Sequence, residues 1–144
     1  MTRKNRKEMP NPVTLEREPL FVLRNGIVQI SIDQDGILRE LISYGGPNLV
    51  SSGPHLTNGG YWNFNGNGYN PDGTTIPQKF SVLTGEPKVL HESDDLIEIA
   101  FIRQPIEPMF FKTSLHYVLR RGEPGFHLYM TVTHDETMPP GHIT

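Results

Sequence analysis

Lys112, Ser114, His116, Val118 and Arg120 stand two apart, so an extended strand over residues 110–121 sets a lysine, a histidine and an arginine on one face. Arg or Lys can pair a carboxylate, and His or Lys can move a proton. Such a row has the groups needed to hold an anionic sugar and act on it. The same alternation also describes an antiparallel strand whose outer side merely faces water. On the neighbouring run, His127 and Tyr129 share a face with Thr131 and Thr133, while Phe126, Leu128, Met130 and Val132 form the other. If the two runs pair about residues 122–125, the polar faces adjoin and make a broad shelf.

A second constellation lies upstream. Tyr61, Trp62 and Asn63 open a stretch of alternating aromatic rings and side-chain amides that continues through Asn65, Asn67 and Tyr69. Rings stack on sugar faces and amides hydrogen-bond hydroxyls, so Tyr61, Trp62, Asn63 and the more distant Arg120 are the candidate substrate-binding residues. The competing reading makes this a glycine-rich loop anchored in the core by Trp62, with its asparagines serving as turn residues. Lys112 and His116 are the local catalytic candidates.

Metal chemistry finds little support. Asp33 and Asp35 precede Gly36 as in a calcium loop, but the twelfth position is Ile42 where a bidentate Glu is required. The six histidines form no His-Glu-x-x-His or similar tight pair, and no cysteine is present. No nucleotide-binding loop or Gly-x-Ser-x-Gly elbow occurs, so neither metal nor cofactor is expected.

The elements that must position these groups read as strands. Residues 20–23 and 27–32 flank Arg24-Asn25-Gly26, and Asn-Gly between two β-rich runs signals a hairpin. Residues 37–43 suit either strand or helix by spacing. Their shortness and the flanking Asp-Gly and Gly-Gly-Pro select strand. Residues 50–77 are rich in Ser, Gly, Asn, Pro and Thr and read as one long loop. Strands resume at 79–83, 88–91 and 96–103, and the runs 110–121 and 126–134 form a second hairpin about Gly122-Glu123-Pro124-Gly125. No helical period of useful length appears. The expected fold is all-β, an antiparallel sandwich of one domain over residues 19–144, behind a loosely ordered leader at 1–18.

Composition narrows the partners. A net charge of −3 spread over both signs, without a basic stripe, argues against nucleic acid. No apolar stretch is long enough for a membrane helix, and no signal-peptide apolar core follows the basic opening. Oligomeric state and compartment stay open.

Taken together, Arg24-Asn25-Gly26-Ile27-Val28, then residues 36–50 with Tyr44-Gly45-Gly46-Pro47-Asn48-Leu49, then Asn58-Gly59-Gly60-Tyr61-Trp62, and finally His116 to Phe126 around Arg121-Gly122, resemble the rhamnogalacturonan lyases of polysaccharide lyase family four in both order and spacing. The resemblance covers about residues 19–144 and implies the first part of a catalytic sandwich similar to the galactose-mutarotase-like supersandwich, here incomplete. It also implies a pectic polysaccharide as partner and β-elimination as the reaction: a base takes the galacturonate C5 proton, positive groups neutralise the carboxylate, and the C4–oxygen bond breaks. The family's lysine and histidine acid–base pair is expected downstream of the matched segment, so the isolated chain is expected to be inactive. A non-catalytic carbohydrate-binding or structural sandwich is the alternative. Asn63 stands where the family more often has Asp, and the family's secreted habit contrasts with the absent signal peptide.

Overall fold

Side chains that alternate with period two can bury one face and solvate the other only if the chain is extended and paired. A computed structural model of the protein describes residues 9–50, 59–60, 62–64, 66–76, 81–106, 111–138 and 141–143. Every regular element among them is a strand. The first sheet runs in chain order through β1 (Thr14–Glu16), β2 (Phe21–Arg24), β3 (Val28–Ile32) and β4 (Leu38–Ser43), all antiparallel. Four short strands follow: β5 (Asn63–Phe64), β6 (Gly66–Tyr69), β7 (Thr75–Ile76) and β8 (Ser81–Val82). Next come β9 (Glu86–Glu92), β10 (Leu96–Arg103), β11 (Lys112–Arg120), β12 (Phe126–Thr133) and β13 (Gly141–Ile143). The second large sheet has the order β12-β11-β10-β9 and is also antiparallel, while β5 pairs β8 and β6 lies between β13 and β7.

The two four-stranded sheets face each other across one core. Phe21, Leu23, Val28, Ile30, Ile32 and Leu38 from the first meet Ile97, Ile99, Phe101, Leu115, Tyr117 and Leu119 from the second. Each large side chain removed from water contributes about 1.5–3 kcal/mol, so this layer is the main source of cohesion. The aromatic members meet edge to face, Phe21 on Phe101 and Phe101 on Tyr117, each with ring centroids 5.8 Å apart. Phe101 also packs against the β3–β4 turn. Gly36 there has φ of 101°, and a Cβ on it would stand 2.7 Å from Phe101 Cγ. Only glycine fits.

Both hairpins form as the sequence indicates, and residues 38–43 are strand. Two expectations change. The segment read as a loose leader carries β1, Val13 is part of the core, and the chain there is fastened to the second sheet. Val13 N donates to Asp94 O at 2.9 Å, Arg121 Nε donates to Pro10 O at 2.8 Å, and Arg17 pairs with Glu92. The sandwich therefore starts at about Val13 instead of Pro19. A three-residue edge strand held mainly by main-chain pairing leaves almost no hydrophobic period to read. The stretch read as one long loop contains β5, β6 and β7. The β6–β7 turn is closed by Asp72, whose Oδ1 accepts from Thr74 N at 2.9 Å and from its hydroxyl at 2.6 Å. Those bonds favour the carboxylate and hold the Asp72 carboxyl below its ordinary range. Residues 1–8, 51–58, 77–80 and 107–110, which include parts of the leader, the loop and two strand segments, lie outside the described residues.

Candidate functional site

Strand pairing decides which polar side chains can cooperate. On β11 the odd-numbered residues from Thr113 to Leu119 face the core, which turns Lys112, Ser114, His116, Val118 and Arg120 to the outer side of the sheet. Register then sets Lys88 of β9, Ala100 of β10, His116 of β11 and Tyr129 of β12 in one cross-strand row. Glu98, two residues from Ala100 on β10, shares that face.

At the middle of the row the side chains form a compact cluster. The His116 ring stacks on Tyr129 with centroids 4.2 Å apart and planes 10° from parallel. Its Nε2 lies 2.9 Å from Ser114 Oγ. Tyr129 donates its hydroxyl hydrogen to Glu98 Oε1 at 3.0 Å, and Glu98 Oε2 stands 3.6 Å from His116 Nδ1. That last distance is too long for a hydrogen bond, so among the described residues Nδ1 is buried with no hydrogen-bond partner. The phenol of Tyr129 is pushed above its ordinary range, first by desolvation and then by the hydrogen bond to Glu98 and its charge.

Ser114, His116 and Glu98 have the connectivity of a nucleophile, a base and an orienting acid. Their position argues against that chemistry. They stand mid-sheet, where the main chain of β11 pairs on both edges, so no row of backbone N–H groups is left to hold an oxyanion. Proton transfer to a polymer is also hindered, because His116 is 8% exposed and Tyr129 covers one face of its ring.

The remaining candidates are spread out. Lys112 and His116 are four residues apart on one strand, about 13 Å, and Lys112 and Arg120 about 26 Å, so Lys112 and Arg120 cannot engage the same sugar unit. Arg120 is exposed at the far end of β11. Trp62 lies toward the Lys112 end: its carbonyl accepts a 2.8 Å hydrogen bond from Leu83 N, and Leu83 packs with Phe111 and Met130. Trp62 is 37% exposed, so it is not the buried anchor of the competing reading. The backbone of Asn63 pairs with Val82 in β5, and Tyr61 lies outside the described residues. Asp33 serves its own turn: Oδ1 accepts from the N–H groups of Asp35 and Ile37 at 2.9 and 3.0 Å, and Oδ2 lies 2.7 Å from Arg39. Among the described residues no set of three metal-ligating side chains comes together.

Sequence reading passed over Glu98, Ser114 as a partner of His116, and Lys88. None lies in a recognisable motif, and each joins the site only through strand register.

The Rhamnogalacturonate lyase family matches residues 1–143. The chain belongs to the rhamnogalacturonate lyase family. No curated protein matches it. Within the rhamnogalacturonate lyase family frame, the β11–β12 hairpin and the Asn25-Gly26 hairpin are two of the segments that carried the resemblance, and here they occupy opposing sheets of one sandwich.

Proposed function

We propose that this protein acts on the galacturonate-containing backbone of pectin, in β-eliminative cleavage of the rhamnogalacturonan chain. The observation that carries this reading is the family match over residues 1–143. An all-β sandwich with a polar outer sheet face supports it, since such a face can lie along a polysaccharide. In the reaction a base removes the C5 proton, cationic groups offset the charge building on the carboxylate, and the C4–oxygen bond breaks to leave an unsaturated uronate. Lys112 or Lys88 could supply positive charge on that face, whereas His116 is covered and suits a positioning part better than proton abstraction.

A second reading has its own support. Lys112 and His116 are too far apart to flank one C5–C4 bond, and His116 is stacked beneath Tyr129, which favours a sandwich that binds pectic glycan without cleaving it. Incubation with rhamnogalacturonan, followed by ultraviolet absorbance of the C4–C5 double bond and by calorimetry, separates the two. Absorbance growth supports cleavage. Heat of binding without absorbance supports the second reading, and silence in both measurements removes both.

A further inference from the structure

The edges of the two large sheets are not alike. A free edge strand invites pairing with another strand, and proteins usually guard it with charge, proline, a bulge, shortness or a cover. β1 is three residues long. β4 carries Arg39 and Glu40, and its outer edge is already bonded: Leu38 exchanges main-chain hydrogen bonds with Gly60, and the Asn48 side chain joins Leu41 N and Arg39 O. β9 carries Glu86, Pro87, Lys88 and Glu92 and pairs with β10 through a register shift. β12 has none of these guards. Its eight residues include no Asp, Glu, Lys, Arg or Pro, and its register with β11 runs without a break.

Register shows which main-chain groups of β12 are free. Arg121 N donates to Asp95 O at 2.9 Å, which makes Leu96 and Arg120 a non-hydrogen-bonded pair. The two kinds of pair alternate, so even-numbered residues of β11 turn their main-chain groups toward β12, and odd-numbered residues of β12 turn theirs back toward β11. The N–H and C=O groups of Phe126, Leu128, Met130 and Val132 therefore point out of the sheet edge, where no described residue bonds them. The side chains of these same residues form the core-side face of β12 and are incompletely covered: Phe126, Leu128 and Met130 are half-buried, and Val132 is 38% exposed.

We propose that β12 is the interface for a second copy of this chain, the two β12 strands pairing antiparallel about a two-fold axis at Tyr129. The strand is its own complement in that register. Phe126 comes opposite the partner's Val132 and Leu128 opposite the partner's Met130, so apolar meets apolar and every outward main-chain group is engaged. On the other face His127 meets the partner's Thr131, and no like charges oppose each other. Neighbouring registers fit less well: an axis at Leu128 sets Val132 opposite Pro124, which has no N–H, and an axis at Met130 sets Phe126 opposite His134, beyond the strand end. Tyr129 leaves room for the axis, because its ring lies over His116 and its hydroxyl reaches Glu98 on β10, away from the free edge. With the β1, β4 and β9 edges guarded, β12 pairs with its own kind, which closes a dimer instead of a fibre. Pairing joins the outer polar faces of two copies into one surface.

The test is sedimentation equilibrium of the full chain over a range of concentrations, with variants whose folding is established by circular dichroism. The parent's mass is expected to rise from one chain toward two. Val132→Pro removes an outward N–H that β11 does not use, a change an edge strand tolerates. By symmetry it deletes two hydrogen bonds across the axis and should weaken association about tenfold or more. Disulfide formation reports the register. The chain has no cysteine, so Tyr129→Cys tests the axis directly. Opposed residues of a non-hydrogen-bonded pair have Cα atoms about 4.5 Å apart, within disulfide reach, and this variant should cross-link under mild oxidation. Thr133→Cys lies about 26 Å from its copy and should not. A parent of one-chain mass at every concentration overturns the dimer, whether amide exchange then finds β12 bare or covered by its own chain. Association of Val132→Pro equal to the parent's, or cross-linking of Thr133→Cys as readily as Tyr129→Cys, overturns it as well.

Discussion

The Tyr117 hydroxyl donates a 2.7 Å hydrogen bond to the carbonyl oxygen of Gly36, joining the middle of β11 to the β3–β4 turn of the opposite sheet. Tyr117 is 1% exposed and packs between Phe101 and Phe126, so the bond is made in a dry interior. Hydrophobic contact between two sheets is non-directional. A buried polar tie of this kind helps fix how one sheet sits on the other.

Tyr117→Phe keeps the ring and leaves the Gly36 carbonyl unpaired, at an expected cost of about 1–3 kcal/mol in urea unfolding. The pH profile adds a second signature. Burial, helped by the negative charge of Asp33, raises the phenol above its ordinary value of about 10. The unfolded tyrosine ionises first, so the contribution is fully present below about pH 10 and is lost as pH climbs from there toward the folded value. The variant should show a flatter alkaline limb than the parent; an unchanged limb would count against this assignment.

Asn25 makes a comparable tie at the sheet ends. Its Oδ1 accepts from Ile27 N at 3.0 Å and from Val28 N at 2.9 Å, and its Nδ2 donates to the carbonyls of Arg120 and Glu123, both at 2.8 Å. One side chain, 1% exposed, thus closes the β2–β3 turn and clasps the β11–β12 turn of the other sheet. Asn25→Ala is expected to cost roughly 2–4 kcal/mol, because each buried group left unpaired costs about 1–3 kcal/mol. Asn25→Asp retains the acceptor but sets a carboxylate oxygen against two carbonyls, and should be worse than Ala at neutral pH and recover partly in acid. Equal unfolding midpoints for the two variants would contradict the clasp.

That residue also marks how far sequence carries. Asn25-Gly26 is legible as a hairpin turn because turn chemistry is local, but its reach to Arg120 O, 95 positions away, depends on how the sheets stack. The large strands β2, β3, β4, β10, β11 and β12 are legible for a similar reason, since their alternation is set by the core they share. β1 and the short strands around Trp62 are not, because main-chain pairing fixes them and side-chain pattern does not record it. At the site, the face shared by Lys112, His116 and Arg120 follows from period two alone. Their separation along one strand, the arrival of Glu98 and Tyr129 beside His116, and the place of Lys88 two strands away in the same row come from register between strands that no single segment encodes.

The Tyr129 phenol sits high first through desolvation and then through the hydrogen bond to Glu98 and its charge. Glu98→Gln removes the charge and weakens the acceptor, so the Tyr129 phenol should titrate nearer its ordinary value, followed by NMR of the labelled ring carbon. The direction is fixed by sign: a neighbouring negative charge opposes formation of a phenolate, and removing it eases ionisation. An upward movement would mean that the contact with Glu98 is not made in solution.

Trp62 supplies the last prediction, because it is the sole tryptophan of the chain and therefore an unambiguous fluorescent reporter. Among the described residues its backbone is held to the fold from Leu83 N to Trp62 O, and its ring is partly exposed. Truncating the ring leaves that hydrogen bond in place, so Trp62→Ala should cost roughly 1–2 kcal/mol, less than the 3–5 kcal/mol typical of a core tryptophan. If the ring is a stacking platform for sugar, emission shifts on titration with galacturonate oligomers, and the alanine variant loses affinity more than stability. A variant that loses 3–5 kcal/mol while binding glycan as well as the parent would place Trp62 in the core and take it out of the site.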